Sequence, residues 1–143
     1  MLFTGGAVSL MQSRSGDLGM NADVFADRLA RVRRRFISTL QGRIDDIAAS
    51  LSKLSAVAPA AATAVGEAYR SIHSIVGVGS TVGFPGTGRA ARDIEDMLRP
   101  AQTGRRGLTD TEISVLEGLL SDLRAVATRE MQPFYRELKV TQD

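Results

Sequence analysis

His73 is the only histidine among 143 residues, and there is no cysteine. A lone imidazole with no thiolate to join it does not make a zinc site, which leaves general-base work or nucleophilic attack through a ring nitrogen. Imidazole titrates near neutrality, so at pH 7 much of it is neutral and one nitrogen holds a free lone pair. The local sequence keeps this ring clear of the interior. At 100° per residue, Val65, Ala68, Ile72, Ile75, Gly79 and Val82 share one apolar helical stripe with 3-4-3-4-3 spacing. His73 stands about a quarter-turn off that stripe, with Gly66, Tyr69, Arg70, Val76, Gly77 and Ser80 around it. Glycine inside a helix costs about 0.5–1 kcal/mol relative to alanine. Close approach of another protein over Gly66, Gly77 and Gly79 is one reason to accept that cost. With Gly77 one turn beyond His73, no side chain would obstruct a partner there. The plain alternative is an ordinary exposed histidine.

Other chemistries fit less well. Ser71, Ser74 and Ser80 lie on the same helix as His73, and no nucleophile elbow is present, so a Ser-His-Asp arrangement has no geometry. Glu95 is read as a solvent-facing residue or a bundle hydrogen bond ahead of a carboxylate partner for His73. Tyr69 is read as a packed flank, not an acid. The glycine-rich stretch 77–88 could be taken for a phosphate-cradling loop after a strand IHSIVGV, which would make a nucleotide-binding enzyme. That remote alternative lacks the GK[ST] ending, and Val82 occupies the place of the third glycine of a dinucleotide fingerprint.

His73-Ser-Ile-Val-Gly77, Gly83 ten residues after the histidine and Glu95 twenty-two after it resemble the histidine phosphotransfer (HPt) domain. The likeness also takes in Ile75, Val82, Ala91 and Ile94. Arg70 falls where that family often has a basic residue one turn before the histidine, and residues 35–51 are similar to its preceding helix. The resemblance implies that His73 is phosphorylated through Nε2, with Tyr69, Arg70, Val76, Gly77 and Ser80 as the supporting and docking surface. It implies receiver domains of response regulators and a sensor or hybrid histidine kinase as partners. It implies a carrier without catalytic activity of its own, with no cofactor and with Mg²⁺ supplied by the receiver. The chain departs from the family at Val76, where a lysine is usual three residues after the histidine. A module that binds receivers or kinases without carrying phosphate is the alternative.

The elements that would hold this site are helical. From Asn21 or Asp23 a stripe of Phe25, Leu29, Val32, Phe36, Leu40, Ile44, Ile47, Leu51 and Leu54 predicts one long helix. Residues 1–20 lack a lasting period and are expected to form a flexible tail. Pro59 suits the first turn of the helix bearing His73, which should end near Gly83. Phe84 to Gly88 reads as a turn. A third helix is predicted over 89–99, ended by Pro100, and a fourth opens at the capping box Thr109-Asp110-Thr111-Glu112. Pro133 is expected to end or kink it, with Phe134, Tyr135 and Leu138 folding back. The expectation is an all-α, antiparallel up-down four-helix bundle over residues 21–143, which is also the fold that the resemblance implies.

Composition sets the outer limits. The net charge is +2, with 43% hydrophobic and 24% charged residues, as in ordinary globular domains. Only Lys53 and Lys139 are lysines among 18 basic residues. Arg31, Arg33, Arg34 and Arg35 cluster, but no aromatic residues are interleaved for base stacking, so the run reads as a solvated helix face and no nucleic-acid partner is expected. No apolar run approaches the length of a membrane span. The first residues make a poor signal peptide, and a cytoplasmic location is expected.

Overall fold

The computed structural model describes the backbone of residues 2–142 and the side chains of residues 21–135. The chain runs through α1 (Leu2–Ala49), the single turn α2 (Leu51–Leu54), α3 (Ala61–Gly79), α4 (Pro85–Thr103) and α5 (Asp110–Gln142). It divides into two compact units, Met1–Arg35 and Phe36–Asp143. In the first, the apolar stripe predicted to be buried is not: Phe25 is 64% and Val32 46% exposed. Periodicity marks a face as apolar without showing what covers it, and burial begins only at Phe36. The tail expected over residues 1–20 falls on side chains outside the described residues, and α1 itself begins at Leu2.

The second unit is an antiparallel helical bundle. Arg43 bonds Ser74 between α1 and α3, while Gln41 bonds Thr128 and Asp45 pairs with Arg124 between α1 and α5. The interior is mainly apolar, with Leu40, Ile44, Ile72, Ile75, Ile94 and Leu123 fully buried and Thr87 and Glu95 the polar residues buried among those described. All six positions of the α3 stripe, Val65 to Val82, are buried as predicted. At one end Phe84 is sandwiched by aromatics, with ring centroids 5.5 Å from Phe36 and 5.1 Å from Phe134. Among the described residues there is no strand; Ser55 and Leu108 form a single isolated bridge between the two loops at the opposite end. The strand once allowed at IHSIVGV is part of α3, which leaves a nucleotide-binding loop without its strand. No helix among the described residues is long and apolar enough to cross a membrane.

Several boundaries differ from the sequence reading. The single helix predicted through Leu54 stops at Ala49, and Leu51–Leu54 form a separate turn after Ser50. The helix α4 starts at Pro85, not Arg89, because its cap comes from far along the chain. Phe84 offers no capping side chain, and Glu130 of α5 instead accepts the amides of Gly86 at 3.0 Å and Thr87 at 2.6 Å, and the Thr87 hydroxyl at 2.6 Å. A carboxylate there also meets the positive end of the helix dipole. Prolines do not end their helices as predicted either: Pro100 sits in the last turn of α4, and α5 runs through Pro133 to Gln142 without folding back. Leu138 lies outside the described side chains.

α3 ends at Gly79, and the turn that closes it runs on to Gly83, where the sequence placed the end. Phe84 N–H donates to the Gly79 carbonyl at 2.8 Å and Gly83 N–H to the Ser80 carbonyl, with Gly83 at φ +98°. This is a Schellman closure, in which the residue after the cap takes a left-handed conformation that favours glycine. Just before it, α3 and α4 touch backbone to backbone. A Cβ on Gly79 would stand 3.3 Å from the Gly88 Cα and amide nitrogen and 3.3 Å from the Phe84 carbonyl oxygen. Gly79 therefore serves an internal approach of helices, not an external partner.

The capping box at α5 is also as predicted. Thr109 N–H donates to Glu112 at 3.0 Å and Glu112 N–H to the Thr109 hydroxyl at 3.2 Å. Arg106 adds a two-pronged ion pair to the same carboxylate, at 2.8 and 3.1 Å.

Two predictions follow from these contacts. Gly79→Ala must push α3 and α4 apart, so it is expected to lower stability by about 1–3 kcal/mol, the usual cost of overpacking, measured by denaturant unfolding. An unchanged midpoint would show that the helices do not depend on this approach. Arg106 first, then the Thr109 amide, holds the Glu112 carboxyl down to about 2 from an ordinary 4.5. A depressed carboxyl stabilises above its unfolded pKa and loses that contribution as pH falls. The gap in unfolding free energy between the wild type and Glu112→Gln, on the order of 1 kcal/mol at pH 7 for a partly exposed pair, should therefore close as pH falls from about 4.5 to about 2. A gap that persists to pH 2 would contradict it.

Candidate functional site

His73 lies on α3 and points along the seam with α4. The register of that seam follows from four contacts: Gly66 against Gln102, Tyr69 against Arg99, His73 against Glu95, and Ser80 against Gly88. Residues 66, 69, 73 and 80 on α3 and 88, 95, 99 and 102 on α4 recur every three, four or seven positions, so each set is one row of side chains on a helix. The two rows run antiparallel, and the small residues at Gly79 and Gly88 draw them together at one end.

At the middle of this seam, His73 Nδ1 lies 3.0 Å from Glu95 Oε2. The two partners differ sharply in exposure, with the His73 side chain 67% exposed and that of Glu95 10%. An ionised carboxylate only accepts hydrogen bonds, so Nδ1 carries the hydrogen and donates, and Nε2 keeps its lone pair. The sequence reading ranked Glu95 first as a solvent-facing or bundle-bonding residue; the structure makes it buried and bonded to His73. Its other oxygen, Oε1, accepts from Arg99 at 3.1 Å, and Arg99 also pairs with Asp96 at 2.9 Å. The Arg99 pKa is raised, first by the Tyr69 hydroxyl beside it and then by Asp96. The Tyr69 ring in turn stacks on the His73 imidazole, with centroids 6.1 Å apart and planes 9° from parallel. Tyr69 is thus the flank that the sequence suggested.

Beyond the histidine the surface is open. Gly77 and Ser80 are exposed, Val76 is half-buried, and a Cβ on Gly77 would meet nothing within 4 Å. Of the three glycines first read as room for a partner, Gly77 alone faces open space; Gly66 lies against the Gln102 side chain, 3.2 Å from where its Cβ would stand. Arg70 is exposed, and its guanidinium lies 3.7 Å from that same Cβ position on Gly66, one turn to the N-terminal side. No hydrogen bond or ion pair engages it among the described residues. Within those residues, no group of three His, Cys, Asp or Glu side chains is placed to hold a metal ion.

Sequence reasoning missed Arg99 altogether. Its i+4 spacing from Glu95 was readable as a helical ion pair. What the spacing does not give is the register between two helices, which alone brings that pair to His73.

This arrangement presents one ring nitrogen of an exposed histidine on the α3–α4 seam, with the other nitrogen held by a buried carboxylate. No curated protein and no solved structure matches the chain. The family model described as the Hpt domain matches residues 31–126, about two thirds of the chain, and spans α3, α4 and the seam between them. The chain belongs to the Hpt domain family, whose members carry phosphoryl groups on histidine in phosphorelays.

Proposed function

We propose that this chain is a phosphoryl carrier whose His73 takes a phosphoryl group from a receiver-domain aspartate, or from a sensor or hybrid kinase, and gives it to a response-regulator aspartate. The observation that carries this reading is the 3.0 Å bond between His73 Nδ1 and the buried Glu95, on a helix face otherwise left open. Membership of the Hpt family supports it at the level of phosphorelay chemistry.

In acceptance, the Nε2 lone pair attacks phosphorus in line. The N–P bond forms as the P–O bond to the aspartate breaks, and the aspartate leaves as a carboxylate. No proton has to depart from Nε2, so no separate base is needed. The positive charge that develops on the ring lies against the Glu95 carboxylate through the Nδ1–H bond. Handing the group on runs the same bonds in reverse onto the next aspartate. Such a transfer depends on alignment and charge neutralisation, which a docked partner completes by supplying the carboxylate and the Mg²⁺. Gly77, Ser80 and Val76 form the open surface one turn from the nitrogen, where that docking would occur. The chain then needs no active site of its own.

Val76, in place of the usual lysine, favours one other reading: an Hpt-like module that binds receivers or kinases without taking phosphate. Incubation with a phosphorylated receiver separates the two. The carrier reading predicts an acid-labile, base-stable phosphoryl group on the wild type and none on His73→Gln. His73 is off the buried stripe, so that variant should melt with the wild type. Binding to receivers with no phosphate gained from any of them would favour the module.

A second prediction concerns charge. A phosphohistidine carries roughly two negative charges near neutral pH, and a nearby cation lowers the cost of bringing them to an acidic receiver site. With no lysine at position 76 and no carboxylate paired with Arg70 among the described residues, Arg70 takes this role in our reading. Arg70→Ala is expected to slow transfer about tenfold, or about 1.4 kcal/mol. Val76→Lys should recover much of that loss, since a lysine stem can lie along the apolar border of the stripe with its head in water. The check is a double-mutant cycle on the transfer rate to one receiver; purely additive effects would show that the two positions do not share a role.

A further inference from the structure

Glu95 decides which nitrogen of His73 is nucleophilic, and a carboxylate on a flexible stem does not hold its own orientation. Its terminal torsion is broad and its stem has rotamers to lose. In this structure both oxygens are assigned. Oε2 accepts from His73 Nδ1 at 3.0 Å and Oε1 from Arg99 at 3.1 Å. Arg99 also bonds Asp96 at 2.9 Å, and the Tyr69 hydroxyl beside it helps raise its pKa. Tyr69 closes the circuit by stacking on His73. His73 and Tyr69 from α3 and Arg99 and Glu95 from α4 thus form a circuit of four side chains, with the buried carboxylate as one member.

As an exposed i,i+4 pair, Arg99 and Glu95 would contribute little to stability. The environment of the carboxylate gives the pair another meaning. With its side chain only 10% exposed, Glu95 has little water to satisfy it, and an ionised carboxylate there needs a donor at each oxygen. His73 supplies one and Arg99 the other. Without Arg99, Oε1 loses its donor and the carboxylate is free to turn Oε2 off Nδ1. The ring then loses the acceptor that keeps its hydrogen on Nδ1, and in the tautomer with hydrogen on Nε2 the exposed nitrogen has no lone pair.

We propose that Arg99 is a positioning residue for phosphoryl transfer: by engaging Glu95 Oε1 it keeps Oε2 on the Nδ1–H of His73 and so keeps Nε2 nucleophilic. This rests on the carrier reading, and its test has one arm that does not. In the unphosphorylated full chain, labelled with ¹⁵N-histidine and held at pH 8, the ring-nitrogen shifts report the tautomer directly. The wild type should show hydrogen on Nδ1, Arg99→Ala a marked shift toward hydrogen on Nε2, and Arg99→Lys a return toward the wild type. Acceptance of phosphate from a phosphorylated receiver should fall about tenfold in Arg99→Ala, the loss typical of removing a residue that orients a reactive one, and recover in part with lysine. Arg99→Ala, which leaves Oε1 without its donor, should melt somewhat below the wild type but still cooperatively, and Arg99→Lys closer to it.

A wild-type tautomer in Arg99→Ala overturns the proposal, whether the rate stays or falls. If the tautomer shifts but the rate does not, Arg99 orients the ring without mattering to transfer, and the proposal also fails. If the wild type accepts no phosphate from any receiver while the tautomer shifts as described, the carrier reading falls and the orienting action of Arg99 on His73 stands.

Discussion

The hydrogen bond from His73 to Glu95 joins two helices, so it exists only at one register and one separation of α3 and α4. Both are set by features remote from the imidazole. The Schellman closure at Gly83 turns the chain tightly enough for α4 to return beside α3. The backbone contact between Gly79 and Gly88 then fixes how close the two helices lie. From that point each turn toward the opposite end brings the next pair of side chains together, and His73 meets Glu95 two turns along. Side chains on a helix keep fixed directions, so a register shift of one residue would rotate the carboxylate away from the ring.

A carrier has demands unlike those of an enzyme. In the carrier role proposed for His73, the nitrogen that takes the phosphoryl group would have to reach two different partners, so it could not lie in a cavity, yet it would have to be ordered before either arrived. Here those needs are divided between the two faces of one ring. Nδ1 is fixed to a residue that is almost wholly buried, and Nε2 faces a surface with glycine one turn away. The order comes from the bundle: the apolar stripe from Val65 to Val82 anchors α3 along its whole length, and Glu130 of α5 caps the start of α4. In the proposed role, the charge arriving with phosphate would be met partly by the ring's own positive charge, which the carboxylate would stabilise.

Much of this was legible in the sequence because it is local. The exposed position of His73, the buried stripe beside it, the turn that closes α3 at Gly83 and the capping box at Thr109 and Glu112 all follow from spacing along one helix or one turn. What depends on pairing between helices was not legible. The start of α4 was misplaced because its cap, Glu130, comes from α5. Glu95 was ranked below its true role, and Arg99 was missed, because only the α3–α4 register brings them to the histidine. Gly79 was read as room for a partner when it is room for Gly88. The stripe at Phe25 and Val32 was read as buried because periodicity alone does not show what covers it.

The central claim is that Glu95 holds Nδ1 and leaves Nε2 to carry the phosphoryl group. The most direct measurement is to phosphorylate the ¹⁵N-histidine-labelled chain and read from the ³¹P–¹⁵N coupling which ring nitrogen bears phosphorus. The account predicts a single phosphohistidine, bonded through Nε2 of His73. Phosphorus on Nδ1 would contradict it, since that nitrogen would have to leave Glu95 to react.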